Sequence, residues 1–220
     1  MQDEGFVSLG FDEVRELRLF FGGIDEWILV VIEQPEVSVE AHVDTRRLHH
    51  LGLVWLKADA ASVLIPGLAT SWTADAKDKT KWIFKLRPGV KFHDGSALNA
   101  DAVVWNVRKV LDKTAAHFDP SQVGVTASRM PTLRSARKVD DLTVELTTSE
   151  PDSFLPINLS NLFMASPAHW EAKLKAVPAS VADVAERAKQ AWTAFAADAS
   201  GSGPFKMARF VPRERLEVVK

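Results

Sequence analysis

Residues 64–113 read LIPGLATSWTADAKDKTKWIFKLRPGVKFHDGSALNADAVVWNVRKVLDK, and this stretch decides the fold. Trp82, Phe84 and Leu86 alternate with Lys81, Lys85 and Arg87, the period-two pattern of a half-buried strand. Ile83 interrupts the polar side, which implies some cover there. Pro88-Gly89 is a turn dipeptide: proline presets its own φ, and glycine supplies the positive φ that follows in a type II turn. Residues 90–93 read as a second short strand, and Asp94-Gly95 as a second turn. Asn99 is placed to cap a helix, with Asp101 in its first turn. Val103, Val104, Val107, Val110 and Leu111 then recur at helical spacing.

Working outward, residues 11–21 carry Val14, Leu17 and Phe21 on one stripe and predict an amphipathic helix ended by Gly22-Gly23. Residues 26–33 fit either a buried strand or a short helical segment. Residues 49–57, with Leu51, Leu53, Val54, Trp55 and Leu56, fit a strand or a helix end. On the other side, residues 114–132 are polar and without period, and read as a loop. Residues 135–139 and 142–148 predict a hairpin about Asp140-Asp141, with Leu142, Val144 and Leu146 on one face and Thr143, Glu145 and Thr147 on the other. Pro151 ends that hairpin. Residues 153–159 suit a helical turn. Ser180 with Asp183 resembles a capping box, and Val184, Ala188, Trp192 and Phe195 mark the helix it would open. Residues 200–203 read as a flexible link, after which Phe205 and Met207 begin a strand.

The chain has 220 residues, of which 46% are hydrophobic and 25% charged, a composition that argues against disorder. A formal net charge of -2 gives no general attraction to nucleic acid or anionic membrane. There are seven Trp and no Tyr; large rings of this kind mostly fill cores. The absence of cysteine excludes disulfides, thiolate nucleophiles and thiolate metal sites. Asp3 and Glu4 stand where a basic leader region would begin, so no signal peptide is visible. Trp27 to Ile32 is far too short to span a bilayer.

Little in the sequence argues for an enzyme. His93-Asp94 invites an acid/base reading, but neighbours on a strand point to opposite faces, and Asp-Gly is first of all turn chemistry. His49-His50 has no third ligand at metal spacing. Gly201-Ser202-Gly203 is followed by Pro204-Phe205 and a strand, not by the Lys-Ser/Thr and helix of a phosphate loop. No nucleophile elbow or zinc-protease motif is present. The expectation is no catalytic residue, no metal and no cofactor, with a small hydrolase built on His93 and Asp94 as the alternative.

The order of these segments resembles the extracellular solute-binding proteins of family 5, the peptide- and nickel-type receptors of ABC importers. The resemblance is carried by Pro66-Gly67-Leu68-Ala69 with Ser71-Trp72, by Trp82 through Asp94-Gly95, and by Asn99-Ala100-Asp101 with Val103-Val104 and Asn106. Val139-Asp140-Asp141-Leu142-Thr143-Val144, Gly201-Ser202-Gly203-Pro204-Phe205, Phe210-Val211-Pro212 and Glu214-Arg215 continue it. It implies an α/β fold, a mixed sheet with flanking helices, making most of one lobe of a two-lobed, Venus-flytrap periplasmic binding protein. Residues 51–220 would be the incomplete N-terminal lobe; residues 1–50 show no likeness and stay unassigned.

The resemblance further implies a periplasmic protein that binds peptides or related small solutes and partners ABC permease subunits, without nucleic acid or membrane insertion. It places Ser160, Asn161, Leu162, Phe163 and Met164 toward the ligand, and Ser202, Gly203 and Phe205 near the crossover between lobes. Family members are more than twice as long as this chain. A fragment that binds weakly by itself and a truncated, non-functional reading frame both remain open.

Overall fold

The computed structural model describes residues 16–20, 27–32, 52–57, 60–211 and 215–219. Its strands are β1 (Glu16–Phe20), β2 (Trp27–Ile32), β3 (Val54–Lys57), β4 (Ala60–Pro66), β5 (Ala69–Ala74), β6 (Lys81–Leu86), β7 (Leu133–Asp140), β8 (Thr143–Thr148), β9 (Lys206–Val211) and β10 (Arg215–Val219). Its α-helices are α1 (Ala100–Leu111), α2 (Ser121–Val125), α3 (Leu155–Asn158), α4 (Pro167–Ala176) and α5 (Val184–Ala197).

The alternation along KWIFKL is realised in an antiparallel sheet of order β5-β6-β8-β7. Its register sets Trp72, Phe84 and Val144 in one row and Trp82, Leu146 and Ala136 in the next. Phe84, Val144 and Leu146 are fully buried, and the Trp72 and Phe84 rings stack at 6.5 Å. The opposite face sets Ile83 beside Glu145 and Arg137. Arg137 grips the Glu145 carboxylate there with two N–H groups, at 3.2 and 2.8 Å. Ile83 is half-buried, in keeping with the cover its sequence implies.

Helix α1 closes the core side of this sheet, packing on β7 and β8. Asn99 caps it, its side-chain oxygen accepting from Ala102 N–H at 3.0 Å. Val103, Val107 and Val110 are buried at the spacing that the sequence shows. Both turn glycines hold a positive φ, 74° at Gly89 and 86° at Gly95, a region that strains any residue with a Cβ.

A second core lies under α4, α5 and β9, built from Trp170, Ala188, Ala191, Phe195, Phe205, Met207 and Val218 among others. Strand β9 pairs antiparallel with β10, β10 pairs parallel with β2, and β2 pairs antiparallel with β1. The first strands of the chain thus share a sheet with its last ones. Strands β3 and β4 form a separate hairpin.

Several local expectations are corrected. Residues 16–20 are strand rather than part of a helix; Gly22, Gly23, His49 and His50 lie outside the described residues. Residues 90–93 contribute only one bridge, Lys91 to Ala97, because the two turns leave no room for a strand. Within residues 114–132, α2 and a 3-10 turn at Ala127–Arg129 interrupt the loop. The hairpin turn is Asp141-Leu142, one residue later than expected, since Asp140 already pairs with Thr143. Thr143, on the outward face, is nevertheless 2% exposed, and its hydroxyl accepts from Lys85 Nζ. Helix α5 is capped by Asp183, which accepts from Glu186 N–H at 2.7 Å, so Ser180 plays no part in the cap. Val184, which opens that helix as the sequence reading has it, is 65% exposed.

Candidate functional site

The two cores meet where three segments cross: the turn at residues 93–96, the run 162–166 and the link 200–203. His93 ties the first to the third. Its backbone N–H donates to Gly201 O at 2.8 Å. Gly201 N–H lies 3.3 Å from ring Nδ1, and Nε2 lies 2.9 Å from Gly203 O. A peptide N–H only donates and a carbonyl only accepts, so these contacts suit the tautomer that carries its proton on Nε2.

Asp94 ties the turn to the other two segments. Its backbone N–H donates to Ser200 Oγ at 3.2 Å. Its carboxylate accepts from the Ser166 hydroxyl and from both the N–H and the hydroxyl of Ser96. Burial pushes this carboxyl up, but the hydrogen bonds from Ser166, Ser96 and Ser200 outweigh it and hold it below the ordinary range. Ser166 N–H donates to Ser200 O at 3.0 Å and closes the triangle. Residues 200–203, read from sequence as a flexible link, are therefore held at Ser200, Gly201 and Gly203.

Helix α1 holds the run 162–166 from the other side. Asn106 is fully buried. Its amide N donates to Ala102 O and Ala165 O, each at 2.9 Å, and its oxygen accepts from Ala165 N–H at 2.9 Å. One turn on, Lys109 Nζ donates to Phe163 O at 3.2 Å and sits 5.8 Å from the Trp192 ring centre. Burial pulls this ammonium down to about 8, against the opposing pull of the Asp119 carboxylate. Trp192 packs in turn with Trp105 and Trp170, the three ring centroids 5.6–6.0 Å apart, and His117 stacks on Trp105 at 4.3 Å. Burial, with the charges of Arg108 and Lys109, lowers His117, outweighing its bond to Trp105 O. Among the described residues, no group of acidic or histidine side chains could hold a metal ion.

The residues placed toward a ligand by sequence fall into two sets. Ser160 and Asn161 spend donors on the turn before them, to Ile157 O and Asn158 O. Leu162 and Met164 are fully buried in the first core, and Phe205 is 5% exposed in the second. Phe163 is half-buried and bridges Gly52. Ser202 and Gly203 are half-buried at the crossing, and the buried Ser202 hydroxyl makes no hydrogen bond. The Ser166–Ser200 bond draws the two sets together. Sequence reading missed the joint roles of His93, Asp94, Ser166 and Asn106. Only the H-D-G-S spacing, with a serine two residues past the aspartate, hints at such a turn.

The family described as bacterial extracellular solute-binding proteins, family 5 Middle, matches residues 63–220. Di/tripeptide-binding protein 4 of Pseudomonas aeruginosa is 35% identical over 106 residues, covering 41% of this chain and 19% of that protein. The nickel-binding periplasmic protein of Escherichia coli is 44% identical over 62 residues, 28% of this chain and 12% of that one. The crystal structure of a Pseudoalteromonas dipeptide-binding protein in complex with Met-Leu superposes with a TM-score of 0.61 at 19% identity, covering 80% of this chain and 37% of that one. The chain thus spans less than a fifth of either curated relative. Its α/β fold is part of one lobe of the two-lobed architecture of these binding proteins.

Proposed function

Because this chain belongs to the bacterial extracellular solute-binding proteins of family 5, we propose that it is part of the substrate-binding component of an ABC importer. The match over residues 63–220 carries this reading. Proteins of this family bind solutes and are not enzymes, and their setting is extracellular or periplasmic; we place this chain there too. No helix among the described residues is long and apolar enough to cross a membrane. The partners would be a small solute of the peptide or nickel-complex class and the permease subunits of the importer.

In this reading Ser160, Asn161, Phe163, Ser202 and Gly203 stand on the ligand side of the lobe, with Leu162, Met164 and Phe205 setting their backbone from within. A lobe that presents one wall encloses too little of a small ligand for tight binding, since pockets cover most of a ligand's surface. The hydrolase alternative gains no support from the geometry: both His93 nitrogens and the Asp94 carboxylate are taken up by the joint.

Calorimetry tests the reading. The 220-residue chain is expected to give no measurable heat with Met-Leu, a tetrapeptide pool or nickel-histidine. The same chain joined to a complementary second lobe is expected to bind one class at sub-micromolar level. Tight binding by the short chain would overturn the one-wall argument. Ester or peptide turnover lost in His93→Ala would overturn the transport reading itself.

A further inference from the structure

We propose that Asn106 is the positioning residue of the run at residues 163–165: a side chain on α1 that stands in for a neighbouring strand and sets which residues of the run face each way. The consequence for a solute rests on the binding reading, because Phe163 belongs to the proposed ligand side, but the first test needs no ligand.

Register in an extended segment ordinarily comes from a ladder of backbone bonds. Among the described residues this run joins no sheet and makes one isolated bridge, Phe163 to Gly52. Register matters here, because Leu162 and Met164 fill the first core and Ala165 the second. A slip by one residue would exchange those faces. Opposed residues of an antiparallel pair can exchange both of their N–H···O bonds, and the Asn106 carboxamide makes that exchange with Ala165. Its oxygen accepts from the N–H and its nitrogen donates to the carbonyl, each at 2.9 Å. The nitrogen also donates to Ala102 O at 2.9 Å, one turn back on α1. Turned over, the amide would set its nitrogen against an N–H and its oxygen against two carbonyls, so the three bonds admit one orientation. Asn106 is 0% exposed and Ala165 4%, and at that depth a peptide without a partner is costly.

Lys109 extends the grip. It stands three residues further along α1, about 4.5 Å of helix rise, and its Nζ donates to Phe163 O at 3.2 Å. Phe163 stands two residues back along the run, about 6.6 Å of extended chain, and the longer side chain covers the difference. Helix and run thus pass in opposite directions, matched at 106 with 165 and at 109 with 163. Ser166 is held separately, by Ser200 and Asp94, so the part that depends on α1 is 163–165.

Backbone amide exchange of the 220-residue chain tests this, with the amides of residues 82–86 as the reference for global unfolding. Asn106→Leu fills a similar volume and removes all three bonds. Protection of the Ala165 amide is expected to fall about ten-fold against the reference, the loss of one buried hydrogen bond. Asn106→Asp keeps an acceptor for that N–H whether or not its carboxyl is ionised, and should retain the protection even at lower overall stability. A side chain that only filled space would give the reverse order, since leucine buries no polar atom. Equal Ala165 protection in the two variants, or the reverse order, would overturn the proposal. Should either variant fail to fold, NMR of the wild-type chain decides: the Asn106 side-chain amide protons should exchange at least about ten-fold more slowly than those of an exposed asparagine, and equal rates would overturn it. In the chain joined to a second lobe, whichever of Met-Leu, the tetrapeptide pool or nickel-histidine binds should bind Asn106→Leu about ten-fold more weakly, because the wall is no longer pre-ordered. Undiminished binding there would overturn the positioning role. A joined chain that binds none of the three would overturn the binding reading alone, with the exchange order still deciding the role of Asn106.

Discussion

The two cores solve burial differently. The first, under the β5-β6-β8-β7 sheet, is filled by aliphatic side chains around Phe84, and its buried Asn106 has its amide taken up by three backbone groups. The second packs small residues of α5 beside Trp170, with Trp105 and Trp192 against it. At the seam between them lies the ammonium of Lys109. Trp170 and Trp192 both bury an indole N–H without a hydrogen-bond partner; in the first core only Trp82 does so among the described residues. An aliphatic core draws its stability from area and fit. A tryptophan core with polar atoms inside gives some of that back in desolvation. The first should therefore be costly to trim and insensitive to pH, the second tolerant and pH-dependent.

Trimming separates them most. Phe84→Ala, at a fully buried site, should cost about 3–5 kcal/mol in urea unfolding. Trp192→Phe removes an unpaired donor along with some area, and should stay within about 1 kcal/mol of wild type. Equal losses would erase the contrast.

Alkali should separate them next. Lys109 is held at about 8 in the fold, below its ordinary 10.5. Between those values the unfolded chain keeps a proton that the folded chain has shed, so stability rises with pH through that window. The gain for this 6% exposed side chain is on the order of 3 kcal/mol. Lys109→Met should flatten the rise in urea midpoint. A slope unchanged in that variant would show that the seam is not its source.

The smallest test lies at the start of α5. Asp183→Ala should lower stability by about 1 kcal/mol, the worth of a helix cap, whereas Ser180→Ala should change it by no more than a few tenths. The reverse order would return the cap to Ser180 and shift the register of the second core's main helix.

The first core was legible in the sequence because its elements carry strong periods: alternation in β6 and β8, and the 103-107-110 stripe in α1. The turns were legible because Pro-Gly and Asp-Gly impose their own geometry. The joint was not, since its residues act on groups far along the chain, 59 positions from Asn106 to Ala165 and 110 from His93 to Gly203, and no local pattern encodes a partner at that distance. Reading residues 90–93 as strand also hid it. A strand would have sent His93 and Asp94 to opposite faces, but the tight turn lets both reach the same crossing. Ser180 misled because it stands one turn ahead of an aspartate that is itself the better cap. For β1, a helical stripe of three apolar residues gave way to pairing with β2, where tertiary context overrides local pattern.

The run at residues 162–166 has one more consequence. Such an extended apolar stretch, LFMAS, is the kind of segment that recruits a foreign strand when its polar backbone is left open. Here Phe163 is bridged by Gly52 and its carbonyl is taken by Lys109. Ala165 is matched on both backbone groups by a single asparagine side chain, and Ser166 N–H is taken by Ser200. A helix thus does the work of a neighbouring strand, and the segment has no free edge to template aggregation while the fold stands.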